Sequence, residues 1–539
     1  MEKKSIIGLL VILLIILVYP YYVNKFSPPP KALSSAIVKQ REIVQSAELA
    51  PAFPLAKEQP PAFKQADTVH DTVLKNSRVW VKLTNQGAAI KEIRLIRFKD
   101  SRNENGISIC ETNSYDKNIF GWVDTFFGYE LNSPNYEYTE EKGRVIYRLT
   151  LPGLVEVEKI FYLEEDSDLI KADVRLKNLG DKPLPSAFSL LVADGLSTKE
   201  AFEERYLELD VFYQDKIQRN SLGVLKKGRD YIGPVSWLAL KNKYFCQVLT
   251  PLSDKISFAA KAEGKDVVLI ARMPTTIIPP QEIREEKFSL FVGPLDTNLL
   301  AQYNNNWCEI INFGMFDGIA KFILNMLKTV YALFKNYGIA IILLSILVNV
   351  VLFPFTWKGL KSMQRLQVLQ PQMDILKKEY AKDPQKLNRE IMELYRKNKV
   401  NPFGGCLPMV SQMPVFIALY QALSRAIQLK GASFLWIKDL AAPDALIRFQ
   451  SSLPFLGNSF NLLPIIMIIG TFLQQKKSQA YAAASQKQMT WFMPLFMGLI
   501  FYNLPSGLIL YWAVSTFLNV GLQSLPFARH SPEGVAHGI

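Results

Sequence analysis

Histidine and cysteine are scarce in this chain: three histidines (His70, His530 and His537) and four cysteines among 539 residues. Four cysteines exclude a disulfide scaffold, and without a CxxC pair a zinc centre lacks its usual ligands. The patterns GxxxxGKS/T, GxSxG and HExxH are also missing. The phosphate-binding loop, the nucleophile elbow and the zincin helix are thereby excluded, and no residue set calls for a cofactor or for catalysis. The long apolar runs contain no Asp, Glu or His. This removes the ionisable relay that a proton-coupled pump needs.

Apolar residues and positive charge are abundant. Hydrophobic residues make up 49% of the chain and the net charge is +13. Residues 24–310 are close to neutral at −1, so the excess belongs to the remainder, at +14. Within it, residues 357–400 hold 11 cations against 5 acids, and 476–488 hold Lys476, Lys477 and Lys487 with no acid. Basic blocks alternating with lipid-like runs follow the positive-inside rule; a nucleic-acid stripe would not be interrupted in this way, so specific nucleic-acid recognition is not expected.

Residues 5–23 form an uncharged apolar run preceded by Lys3 and Lys4 and closed by Tyr19, Tyr21 and Tyr22. The run exceeds a signal-peptide core and lacks a small-x-small site, which predicts an uncleaved anchor with a cytoplasmic N-terminus. A Pro-rich linker follows over 24–66. From about 75 to 295 the period becomes two: Val79, Val81 and Leu83 alternate with Arg78, Trp80 and Lys82. VEVEKIFYL (155–163), LIKADVRLKNL (169–179), FSLLVA (188–193), VSWLALKNKYFCQVL (235–249), DVVLIARM (266–273) and KFSLFVG (287–293) read as strands of an antiparallel sandwich. Cys110 and Cys246 fall in this domain, either as a pair or as two buried thiols.

Residues 313–335 switch to a helical period. Phe316, Ile319, Ile323, Leu327, Val330 and Phe334 share one face and Asp317, Lys321, Asn325, Lys328 and Lys335 the other, which suits a helix lying in the membrane interface or packed on the sandwich. Five apolar segments follow, at 337–356, 408–429, 461–475, 490–505 and 507–525; the third and fourth are short for a hydrocarbon core of about 30 Å. With the N-terminal anchor the count is six. That order puts both basic loops inside.

Residues 358–399 read as two amphipathic helices meeting at Asp383–Pro384, an N-cap followed by a first-turn proline. The hairpin exposes Lys358, Lys361, Arg365, Lys377, Lys378, Arg389, Arg396 and Lys397. These can recruit a nascent chain, a ribosome or lipid headgroups, or form a solvated face. Polar residues inside the spans also need an explanation. Ser345 and Asn349 are spaced i, i+4; Gln412, Gln421 and Ser424 lie in the second core span, Gln474 in the third, and Tyr511, Trp512, Ser515 and Asn519 in the last. Two readings stay open: a wet groove reaching partway into the bilayer, or hydrogen bonds between helices. Arg425 is expected to snorkel to the outer interface.

The runs LQPQM (369–373), LYRKNKVNPFGGCLPMVSQMPVFIALYQAL (394–423) and LPSGLILYW (504–512) closely resemble the YidC family of membrane protein insertases, within the Oxa/Alb superfamily. The match covers roughly 313–525, and the element order resembles the Gram-negative form. The resemblance implies an inner-membrane protein with a periplasmic β-supersandwich, acting without nucleotide hydrolysis, alone or with the Sec translocon, on nascent inner-membrane proteins. It implies a groove open to cytosol and lipid, mapped onto Ser345, Tyr511 and Trp512, with one Arg where ILVNVVLFPFT places Asn349. Here the charge is absent, so hydration carries over and ionic capture of acidic side chains does not. A basic tail that aids ribosome contact in the family is nearly missing.

The expected organisation is an anchor over 1–23, the linker over 24–66, an all-β extracytoplasmic sandwich over 67–310, an interfacial helix over 311–335 and an α-helical membrane bundle over 336–539. The competing functional readings are a secondary transporter of a small solute and a membrane-anchored sugar binder. The first is opposed by the absence of visible inverted repeats.

Overall fold

Residues alternating between apolar and polar at period two can bury one face only by pairing into sheets, and the chain does this from Asp71 to Pro294. The computed structural model describes residues 66–98, 106–112, 114–127, 129–196, 203–253, 256–264, 266–401, 407–453, 457–479 and 489–524. The expected anchor, nearly all of the Pro-rich linker, the Gly-Gly-Cys stretch of 402–406 and Lys487 lie outside them.

Every strand pairing is antiparallel. A nine-stranded sheet runs in the order Lys216–Ser221, Glu208–Tyr213, Val235–Lys241, Phe245–Pro251, Ile283–Pro294, Leu169–Asn178, Val155–Leu163, Arg144–Leu151 and Glu137–Glu141. A five-stranded sheet runs Arg229–Tyr231, Ser257–Glu263, Asp266–Ile278, Leu184–Asp194 and Gly121–Trp122, and a four-stranded sheet runs from Asp71–Lys75 through Val79–Thr84 and Ala89–Leu95 to Ile107–Glu111. Their inward side chains join one contiguous core, which is the packing of a sandwich. Val79, Val81 and Leu83 are fully buried, as the alternation requires. Gly153 takes a φ of +73°, the left-handed turn that folds Arg144–Leu151 back onto Val155–Leu163.

The sandwich departs from expectation at one place. The run 235–249 is two strands rather than one, because the Asn242 side chain accepts from the amides of Tyr244 (3.0 Å) and Phe245 (2.8 Å) and turns the chain. Of the two readings open for Cys110 and Cys246, the structure has the second: both are buried free thiols.

A short helix, Thr297–Tyr303, closes the sandwich and leads to eight helices: α1 (Asp317–Phe334), α2 (Tyr337–Val368), α3 (Gln370–Glu379), α4 (Pro384–Lys397), α5 (Leu407–Arg425), α6 (Leu462–Gln479), α7 (Met489–Phe501) and α8 (Ser506–Leu522). Between α5 and α6 a small hairpin pairs Ile447–Leu453 with Gly457–Phe460. Among the described residues one helix, over Tyr337–Leu366, is long and apolar enough to cross a membrane; the apolar helices Leu462–Lys476, Phe492–Phe501 and Ser506–Leu522 are shorter. Helix α2 also corrects the expected hairpin. It continues without a break through Lys358, Lys361 and Arg365, and the bend falls at Leu369, before Pro371. Proline cannot donate the backbone bond that would continue the helix, so the chain restarts as α3. The Asp383–Pro384 start of α4 forms as expected, with the Asp383 carboxylate accepting from the Lys386 amide at 3.0 Å.

Candidate functional site

Helix α8 carries the polar stripe that organises the helical region. Tyr511, Ser515 and Asn519 are spaced by four, so they stack on one face of α8, and Ser345 and Asn349 do the same on α2. The two stripes meet. Asn349 Nδ2 donates to Ser515 Oγ at 2.9 Å and to the Ser345 carbonyl at 2.7 Å, and Asn519 Nδ2 approaches Asn349 Oδ1 at 3.5 Å. From α5, Gln412 Nε2 donates to the Tyr511 hydroxyl at 3.0 Å. Ser345 and Tyr511 are fully buried, whereas Asn349 and Gln412 keep part of their surface open. Pro354 in α2 and Pro414 in α5 each remove one intrahelical bond, leaving a backbone carbonyl four residues earlier without its usual donor near the same polar groups.

Other expected groove residues lie elsewhere. Trp512 follows Tyr511 by one position, about 100° around the helix, and packs in an aromatic cluster with Phe416 (4.9 Å) and Phe501 (5.4 Å). Gln421 is nine residues beyond Gln412, roughly half a turn away in azimuth, and Ser424 is buried with its hydroxyl on the Tyr420 carbonyl of its own helix. Gln474 is half-buried on α6. The structure thus joins Ser345, Asn349, Gln412, Tyr511 and Ser515, adds Asn519, and leaves Gln421, Ser424, Gln474 and Trp512 outside the hydrogen bonds described for this cluster.

The basic residues of the hairpin are exposed apart from Lys377, which is half-buried and pairs with Asp374 at 3.2 Å. Lys397 pairs with Glu393 at 3.4 Å. The two helices touch through the Tyr395 hydroxyl and Met373 sulfur at 3.4 Å, while Leu369 and Val400 are buried where the hairpin closes. Ile375 and Met392 remain exposed, so the hairpin presents apolar as well as cationic side chains.

Helix α1 packs on protein with one face and leaves another exposed. Ala320, Ile323 and Leu327 are buried, and the helix packs on α2 and α5. Ile319, Phe322 and Leu333 lie roughly a fifth to a third of a turn away and face outward, Phe322 at 64% and Leu333 at 76% exposure, and Met315 in the turn before the helix is exposed too. The single apolar face read from sequence is therefore two adjacent stripes, one against protein and one free to meet lipid.

Arg425 has partners that the sequence did not reveal. Its guanidinium is held by protein rather than extended freely: Nη1 donates to the Asn312 carbonyl at 3.0 Å and the group lies 4.9 Å from the Tyr206 ring centre. Arg425 thereby ties α5 to the sandwich. Asp296 does the same work nearby. One oxygen caps Thr297–Tyr303 through the Asn298 amide (2.8 Å), and the other accepts from Gln428 (2.6 Å) and Lys328 (3.1 Å). Burial alone would raise its pKa, but Lys328, Gln428 and the Leu299 amide together hold it below the usual carboxylate value. The sequence reading missed this junction, although Asp followed by Thr-Asn-Leu-Leu was a visible N-cap signal.

Comparison with known proteins agrees with both halves of this architecture. The YidC periplasmic domain family matches residues 71–326, and the family described as 60Kd inner membrane protein matches 329–531. A membrane protein insertase YidC of Syntrophus aciditrophicus is 30% identical over 97% of this chain and 99% of its own. Its counterpart in Geobacter metallireducens is 30% identical over 97% and 98%. A crystal structure of an active YidC insertase with its first transmembrane domain resolved is 19% identical, with 90% of this chain and 99% of that one covered and a TM-score of 0.38. With the periplasmic-domain match meeting the sandwich, the inner-membrane match meeting the helices, and relatives aligned from end to end, the chain belongs to the YidC family of membrane protein insertases.

Proposed function

We propose that this chain inserts inner-membrane proteins through the polar notch between α2, α5 and α8, without enzymatic chemistry. The observation that carries the reading is the pair of part-open amides, Asn349 on Ser515 and Gln412 on Tyr511, at the meeting point of three apolar helices. Moving a polar segment through hydrocarbon costs several kcal/mol for each unsatisfied group. Amides and hydroxyls at partial depth replace water bonds over part of the path. The substrate's own hydrophobic segment then partitions into lipid, and that transfer drives the step.

In this reading the topology has six spans, the anchor of residues 1–23 and α2, α5, α6, α7 and α8, with the N-terminus and the loops 357–400 and 476–489 in the cytoplasm. The sandwich of 67–310 is periplasmic and α1, within 311–335, lies in the outer interface. The third and fourth core spans are α6 and α7, and at 1.5 Å per residue α7 (13 residues) is about 20 Å long. A locally thinned bilayer fits such a length. The basic hairpin collects nascent chains and lipid headgroups before insertion, with the Sec translocon and the ribosome as partners.

The test is insertion of a substrate with a polar outer tail in insertase-depleted cells, scored by protease protection. Asn349→Leu with Gln412→Leu is expected to lower insertion about tenfold or more, since two polar contacts of about 1 kcal/mol each are lost in transit. Insertion equal to the unmutated chain would reject the notch.

A further inference from the structure

A cavity of about 280 Å³ opens where the sandwich meets the helices. Its described lining includes six cations, Arg205, Lys241, Lys243, Lys321, Lys328 and Arg425, and a single carboxylate, Glu208. Three lysines have carboxylates at hand: Lys241 with Asp210 (2.6 Å) and Glu208 (3.1 Å), Lys321 with Asp317 (2.8 Å) and Lys328 with Asp296 (3.1 Å). Among the described side chains neither arginine forms a close ion pair, and Glu208 acts on Arg425 only at longer range. Instead both guanidiniums lie against one ring, 4.8 Å (Arg205) and 4.9 Å (Arg425) from the centre of Tyr206. Each also reaches a tyrosine hydroxyl, Arg205 that of Tyr420 and Arg425 that of Tyr206, but six cations against one carboxylate leave a net positive lining that an anion would offset. Arg425 Nε is also buried with no acceptor, a cost that a bound oxyanion would remove.

We propose that this cavity binds a phosphate-bearing anion, held between the guanidiniums of Arg205 and Arg425. A guanidinium offers a planar fork of donors, and a phosphate has enough oxygens to accept from two forks at once, where a carboxylate has two. The site is assembled by the sandwich, through Arg205, and the membrane helices, through Arg425, so neither half holds it alone. Lys321 and Lys328 face it from α1, the helix whose other face exposes Phe322 and Leu333. That places the cavity at the depth of lipid headgroups. The phosphate can belong to an anionic phospholipid or to a small soluble ester. The proposal is independent of the insertion mechanism, and its test measures binding alone.

The full chain in nanodiscs gives two arms. In phosphatidylcholine nanodiscs, inorganic phosphate is titrated against the thermal unfolding midpoint. In nanodiscs containing phosphatidylglycerol, native mass spectrometry counts the phosphatidylglycerol retained. Arg205→Gln with Arg425→Gln is expected to weaken binding about tenfold or more, Arg425→Lys to weaken it less, and Lys142→Gln, at a remote exposed turn, to leave it unchanged. An effect confined to the phospholipid arm assigns the site to a headgroup; an effect in the phosphate arm assigns it to a soluble ester. If the double variant fails to fold by circular dichroism, Arg205→Gln alone decides, because Arg205 is exposed. Equal binding by the unmutated chain and the folded variant in both arms, or equal loss with Lys142→Gln, overturns the proposal.

Discussion

Lys159 is a buried amino group with no carboxylate partner among the described residues. It occupies an inward position of the strand Val155–Leu163, donates to the carbonyls of Gly87 (2.9 Å) and Phe120 (2.5 Å), and lies 4.7 Å from the centre of the Trp122 ring. Burial drives its pKa well below the ordinary lysine value. Between that lowered value and about 10.4 the unfolded chain binds more protons than the folded one, so stability rises with pH across this window. Chemical denaturation followed by tryptophan fluorescence from about pH 7 to about 10 should show the rise in the full chain and not in Lys159→Met. The same slope in both proteins would remove Lys159 as its origin. Its inward parity was legible in VEVEKIFYL, but the carbonyls that receive it come from residues 72 and 39 positions away, which no local pattern reveals.

At the scale of elements, periodicity placed the helices and strands well and their breaks less well. The Asp383–Pro384 start of α4 was legible because a cap is a local device; the run of α2 into the hairpin was not, because nothing between Thr356 and Val368 stops a helix. Helix starts also depend on close contacts. Gly338, near the beginning of α2, lies under Phe434, and a Cβ there would come within 2.0 Å of that ring. Gly338→Val is therefore expected to displace Phe434 and to lower stability by about 1–3 kcal/mol, read as a lowered thermal midpoint in detergent. For the hairpin the expected loss is functional. Deleting 361–397 removes most of the exposed cations and the exposed apolar residues Val368, Ile375 and Met392, so insertion in depleted cells should be abolished while the chain stays in the membrane fraction. Full insertion activity would reject the recruiting role.

For the molecule as a whole, the sandwich and the helices are joined by a few specific contacts: Asp296 to Lys328 and Gln428, and Arg425 to Asn312 and Tyr206. Trimming 67–295 removes Tyr206 but keeps Asp296, Asn312 and all of α1. An insertase that works through the helical notch should retain most of its insertion activity after this excision, measured by complementation of depleted cells. A sugar binder working through the sandwich would lose its function. Loss of insertion with the helices still correctly embedded would mean that the sandwich takes a direct part.

The division into a neutral sandwich and a basic helical region could be read from composition, period and charge, because burial and the membrane's preference for interior cations act on residue type and spacing along the chain. Which polar groups meet could not. Gln412 and Gln421 are equivalent in type and lie in one helix, yet only the first reaches Tyr511, because azimuth and helix packing select partners. The doubled arginines on Tyr206 come from residues 220 positions apart, and the fold alone brings them to one ring.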